Sequence, residues 1–175
     1  SLGGQSKWTS MMWLEYLFDR IGGPEVFDAI YANKPDSWSD HAVIASGQKV
    51  QELVKANGFI KGFSSITADS NADWALLYTG KAAMMLHGGW AYGGMKAVQP
   101  KFVASGLGWG NFPTVPGGKG DPKNTVGNPA NYFSISSKAT DEEKTVAKAY
   151  FTDGQNTDAE LDAFVKSGQV PIVKA

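Results

Sequence analysis

The sequence predicts an α/β protein in which helices flank a largely parallel sheet. Three observations lead there. Stretches with apolar residues three and four apart recur along the chain, which is the helical period. Short strand-like runs at 82–86, 106–110 and 132–135 stand between them, bounded by Gly, Pro or Asn. Helix and strand signals that alternate in this way belong to layered α/β architectures. The 175 residues suffice for one domain with a substantial core, although three or four strands are few for a closed sheet.

The first helix is expected from about Lys7 to Arg20, with Met11, Leu14, Leu17, Phe18 and Ile21 along one side. Gly22-Gly23 stops it, and Pro24 opens a short second helix at its first position. A third helix starts near Ser39 or Asp40 and ends at Asn57-Gly58, a left-handed stop signal. Phe59 to Thr67 reads as an irregular connection, and Ser70 with Asp73 resembles a cap with its returning acid, opening a helix through Trp74 and Tyr78. Ala82-Ala83-Met84-Met85-Leu86 reads as a buried strand, followed by Gly88-Gly89 and a short helix from Trp90 to about Val98. Residues 106–110 and 132–135 read as further strands, separated by a Pro- and Gly-rich loop at 113–123. Thr140 with Glu143, and Thr157 with Glu160, form capping boxes for two last helices.

Composition narrows the function classes. The net charge is -1 and Lys is scattered, so neither nucleic acid nor an acidic membrane is an expected partner. No cysteine is present, which removes disulfides, thiolate metal sites and cysteine nucleophiles. No apolar run approaches the roughly 20 residues of a membrane helix. The opening Ser1-Leu2-Gly3-Gly4 lacks the basic start and apolar middle of a signal peptide, so export requires a signal outside these residues.

Catalytic patterns are missing as well. His41 and His87 stand far apart, and neither has a carboxylate at metal-ligand spacing. There is no nucleophile elbow, no phosphate loop and no dinucleotide fingerprint, so no cofactor is expected. The acids at 141–143 and 158–160 lie in first helical turns, where they complement the helix dipole. Asp69 and Asp73 with Asp121 could be imagined as glycosidase acids, but nothing in the pattern brings them to face one another.

The most distinctive stretch runs from Trp74 through Tyr78, Gly80-Lys81, Ala82-Ala83-Met84 and Gly88-Gly89-Trp90. Its order of helix, Gly-Lys, Ala-Ala-Met, strand and Gly-x-Trp resembles a signature of family 1 of the bacterial extracellular solute-binding proteins, the maltose-binding-protein-like sugar carriers of ABC importers. Trp8 to Gly23, Phe112 to Gly118, Val126 to Ser136 and Gln169-Val170-Pro171 are similar to flanking parts of that family. The resemblance implies an incomplete periplasmic-binding-protein-like (type II) fold. Residues 1–122 would be most of the second lobe, and 123–175 a crossover and a segment returning toward the first lobe. It also implies a first lobe before residue 1 and further helices after Ala175. The implied partners are a mono- or oligosaccharide ligand, ABC transporter permease subunits and the missing lobe. The implied location is extracytoplasmic, periplasmic or as a cell-surface lipoprotein, and the implied role is binding without catalysis.

A sugar offers an apolar C–H face and a rim of hydroxyls, suited to indole rings and side-chain amides respectively. On the resemblance, Trp90 is the first candidate for stacking, its alternative role being a core ring that anchors the short helix. Trp8 at the start of the first helix is the second. Met12, one turn on, offers apolar lining or plain packing. Ser70 begins a helix that faces the cleft in the family, or serves as a simple cap. Asn128 and Asn131 flank Pro129 in the returning segment, with amides available to hydroxyls or committed to a turn. The competing readings are a binding protein of the same architecture for a non-sugar solute such as a polyamine, which would want several acids beside aromatics, and a carbohydrate-active hydrolase.

Overall fold

The structure, a computed structural model, describes residues 1–127, 132–155 and 157–169. In chain order it contains α1 (Lys7–Gly22), α2 (Pro24–Tyr31), α3 (His41–Lys55), α4 (Ala72–Tyr78), α5 (Trp90–Val98), α6 (Pro100–Ser105), α7 (Asp141–Ala149) and α8 (Asp158–Ser167). The chain divides into two compact units: Ser1–His87 with Ala104–Gly127, and Gly88–Val103 with Asn128–Ala175.

In the first unit α1 packs on α2 and α3. Phe18, Val26 and Ala42 are buried at their junction, and Leu14, Ile21, Ile30 and Val43 close around them. Full burial of a ring such as Phe18 stabilises by roughly 2–3 kcal/mol. The two stop signals operate as read. The α1 helix ends at Gly22, Gly23 turns with φ +88°, and Pro24 occupies the first turn of α2. Asn57 takes the left-handed conformation after α3 (φ 55°), so the asparagine rather than Gly58 makes the turn. Asp40 caps α3, accepting from the Ala42 N–H at 2.7 Å.

Arg20 closes this unit from α1. Its side chain is 1% exposed, ion-paired to Asp19, and its Nη2 donates to the main-chain oxygens of Pro122 (3.1 Å) and Asn124 (3.0 Å). The Asn124 amide in turn donates to Asp19 at 2.8 Å. The guanidinium also lies 5.5 Å from the Tyr16 ring and 5.9 Å from Phe112, so it is held by ring faces as well as by acceptors. Hydrogen bonds from this paired arginine and aspartate therefore tie the segment at 122–124 to α1.

In the second unit α5 buries Ala91 and Met95. Its glycine Gly93 allows close approach to α8, since a Cβ there would lie 2.0 Å from the Ser167 oxygen. Lys96 reaches the Lys166 oxygen at 3.1 Å. The capping box of α7 is complete, with Thr140 Oγ1 accepting from the Glu143 N–H (3.2 Å) and the Glu143 carboxylate accepting from the Thr140 N–H (2.7 Å). At α8 Thr157 accepts from Glu160 N–H at 3.3 Å.

Several expectations are corrected here. Among the described residues there is no strand: the runs at 82–86, 106–110 and 132–135 are non-helical and unladdered. A strand is held by a neighbour's backbone, and among the described residues no other segment forms a ladder with these runs. Residues 82–86 are not buried either, and Met84 is 80% exposed. The Ser70–Asp73 capping box does not form. The α4 helix starts at Ala72 after Asn71 in a left-handed conformation, and the Asp73 carboxylate turns inward instead. Helix α6 was not expected, although Pro100 at its first position suits a helix start.

Candidate functional site

The first unit brings three of the candidate residues onto one surface. Trp8 and Met12 stand one turn apart on α1 and so share a face. Ser70 follows Asp69 in the loop before α4, and Asp69 is the residue that meets Trp8. Ser70 itself is exposed, its hydroxyl donating to the Thr67 oxygen at 3.2 Å, so it braces the loop.

Trp8 is 37% exposed. Its Nε1–H donates to Oδ1 of Asp69 at 3.3 Å. Oδ2 of the same carboxylate accepts from the buried Ser6 hydroxyl at 2.8 Å, and Ser6 Oγ accepts from the Ala68 N–H at 3.0 Å. The loop itself is tied to the N-terminal segment by Gly4 N–H to Phe63 O and Gln5 N–H to Ile66 O, both at 3.0 Å. Helix start, loop and carboxylate are thus one hydrogen-bonded assembly around the ring.

The Trp8 ring also meets His87 in a T-shaped contact with centroids 5.3 Å apart. His87 is buried against α4. The Trp74 Nε1–H donates to its Nε2 at 3.2 Å, and Oδ2 of the buried Asp73 lies 3.3 Å from the same nitrogen. Asp69, Asp73 and His87 were not chosen as site residues from sequence. The signal available for Asp69 was only its neighbourhood to Ser70, because the partner Trp8 lies 61 residues away.

Trp90 lies in the second unit at the first position of α5 and is 54% exposed. Its ring does not stand clear of Gly88. A Cβ on Gly88 would lie 2.0 Å from Trp90 Cζ3, so the indole folds over that glycine. Asn128 and Asn131 lie outside the described residues.

A cavity of about 370 Å³ opens in the first unit between α1, α2 and the segment 124–127, lined among others by Glu15, Tyr16, Asp19, Arg20, Phe27 and Asp28. Burial raises the Glu15 carboxyl above its ordinary pKa. Asp19 is already neutralised by Arg20. Among the described residues no group of three or more His, Asp and Glu side chains is placed to hold a metal ion, and no helix is long and apolar enough to cross a membrane.

The sequence model of the bacterial extracellular solute-binding protein family matches residues 1–156. No curated protein sequence matches the chain. The family match covers most of the 175 residues, and the chain belongs to the bacterial extracellular solute-binding proteins. This is a family of binding proteins with a periplasmic-binding-protein-like fold that serve ABC transport outside the cytoplasm.

Proposed function

We propose that the solute is a sugar, mono- or oligosaccharide, delivered to the permease subunits of an ABC importer by hinge closure of two lobes. The observation that carries this reading is the Trp8 indole, 37% exposed and fixed at its N–H by Asp69. A ring held in place before the ligand arrives loses little entropy on binding, and its face removes sugar C–H groups from water. Trp90, 54% exposed at the start of α5, is a further stacking candidate of this proposal. Ligand binds the closed form more tightly and shifts the population toward it, and the permease recognises that form. No bond is made or broken in such a cycle.

In this reading residues 1–122 are most of the second lobe and 123–175 the crossover and the segment returning to the first lobe. The extended runs at 82–86, 106–110 and 132–135 are then strands that pair in the sheets of the complete α/β protein. Asn128 and Asn131 bring amides to the cleft wall, and Met12 and Ser70 border it. The family's extracytoplasmic setting supports a periplasmic or lipid-anchored form.

A second reading, a polyamine or similar organic cation, is favoured by the cavity that sets Glu15, Asp19 and Asp28 beside Tyr16 and Phe27. Arg20 weakens it, because its guanidinium occupies Asp19 and contributes positive charge to the same wall. Thermal unfolding against panels of sugars and of polyamines separates the two, since a ligand of the native state raises Tm by mass action. A rise with one or more sugars and none with spermidine is the expected result. A rise with spermidine alone would move the site to the cavity.

A further inference from the structure

The geometry points to Asp69 as a ligand-contacting residue that both positions the Trp8 ring and selects neutral sugars over acidic ones. This rests on the sugar reading above and adds to it the residue that sets charge preference.

An ionised carboxylate has about four lone-pair positions and donates nothing. Two are used here, one by the Trp8 indole N–H at 3.3 Å and one by the Ser6 hydroxyl at 2.8 Å. The remaining positions belong to an exposed side chain that lies at the N–H edge of a partly exposed indole. A sugar ring stacked on that indole carries its hydroxyls outward at the rim, from which one can point down to the carboxylate beside the ring. Hydroxyl donors to a charged acceptor form shorter and stronger bonds than neutral pairs do. The two bonds already made keep the carboxylate from turning away, so little freedom is lost when the ligand docks. The anchor beneath is rigid, because Ser6 is buried and its oxygen also accepts from the Ala68 N–H at 3.0 Å.

Charge gives the selectivity. A uronate or a phosphorylated sugar on the same ring would bring a second anion to the Asp69 carboxylate in a partly desolvated site, where like charges repel strongly. Among the described residues no ion pair is made to this carboxylate, whose partners are the Ser6 hydroxyl and the indole N–H. The site therefore accepts a neutral polyhydroxylated ring and rejects its acidic counterpart.

The test screens an array of free mono- to hexasaccharides against the protein, then follows the best-bound sugar and its uronate counterpart by calorimetry. The wild type is compared with Trp8→Ala, Asp69→Asn and Asp69→Ala, each checked for fold by circular dichroism. Losing a hydroxyl bond to a charged group predicts weakening of about tenfold or more in both Asp69 variants. Asp69→Asn also narrows the preference for the neutral sugar over its uronate by at least about fivefold, because the repelling charge is gone while an amide oxygen remains for the indole N–H. A purely structural Asp69 would leave that preference where it was. If Trp8→Ala loses binding while both Asp69 variants stay within twofold of wild type with unchanged preference, the inference about Asp69 is wrong and the sugar reading stands. If no sugar on the array binds the wild type, the sugar reading fails and this inference fails with it.

Discussion

Nη2 of Arg20 donates to the main-chain oxygen of Asn124 at 3.0 Å, across 104 residues of sequence. The same guanidinium pairs with Asp19, whose carboxylate receives the Asn124 amide at 2.8 Å. A buried charge with this many partners is strongly coupled to the fold, because removing one partner strands the other. Arg20→Met should therefore lower the unfolding free energy by about 3 kcal/mol or more, read by urea denaturation. A loss under about 1 kcal/mol would show that the 122–124 segment is held by other means.

Phe18 is the centre of the α1–α2–α3 packing. Phe18→Ala should cost about 3–5 kcal/mol, the range for truncating a buried ring. The change should raise the unfolded population without altering ligand chemistry, because neither Trp8 nor Trp90 belongs to this core. A variant with wild-type stability would place the core elsewhere.

Glu15 gives a pH signature with a definite sign. Burial raises its folded-state pKa above the ordinary carboxylate value. Between the unfolded and folded pKa the native state holds more protons, so its stability falls as pH rises through that window. The Glu15→Gln variant lacks this penalty. Its stability relative to wild type should be unchanged at acid pH below the window and should increase as pH rises through it. A relative stability that is flat with pH, or that falls, contradicts the burial of this carboxyl.

Trp90 and Gly88 are coupled by contact. A methyl group at Gly88 would overlap the indole, with Cζ3 at 2.0 Å, so Gly88→Ala must push the ring to a new position. The Trp90 indole N–H resonance should shift in Gly88→Ala, and sugar affinity should fall by about tenfold if Trp90 stacks on the ligand. An unmoved resonance would mean that the ring does not lie over Gly88.

Much of the helical frame was legible from local chemistry. Gly22-Gly23-Pro24, the Asp40 cap and the Thr140–Glu143 box are signals carried within four residues, and each appears where it was read. Ser70–Asp73 shows the limit of that logic: the same spacing exists, but the helix starts at Ala72, and the buried Asp73 carboxylate accepts from the Trp74 N–H and lies beside His87 instead of returning to Ser70. The strand readings failed among the described residues for a related reason. Apolar composition marks a segment as fit for a sheet, but a strand forms only where another backbone runs beside it, and no local pattern encodes that neighbour. The Trp8 face was half legible. The exposed ring could be named from its place before α1, while Asp69 and His87, 61 and 79 residues onward, join it only through tertiary folding.

The central claim is that the solute is a sugar stacked on tryptophan, and calorimetric titration with the array-selected sugar tests it most directly. The account predicts saturable binding by the wild type and a loss of about 2 kcal/mol, roughly thirtyfold in Kd, in both Trp8→Ala and Trp90→Ala with their folds intact. Folded variants that both bind the sugar within about a factor of two of the wild type would contradict it.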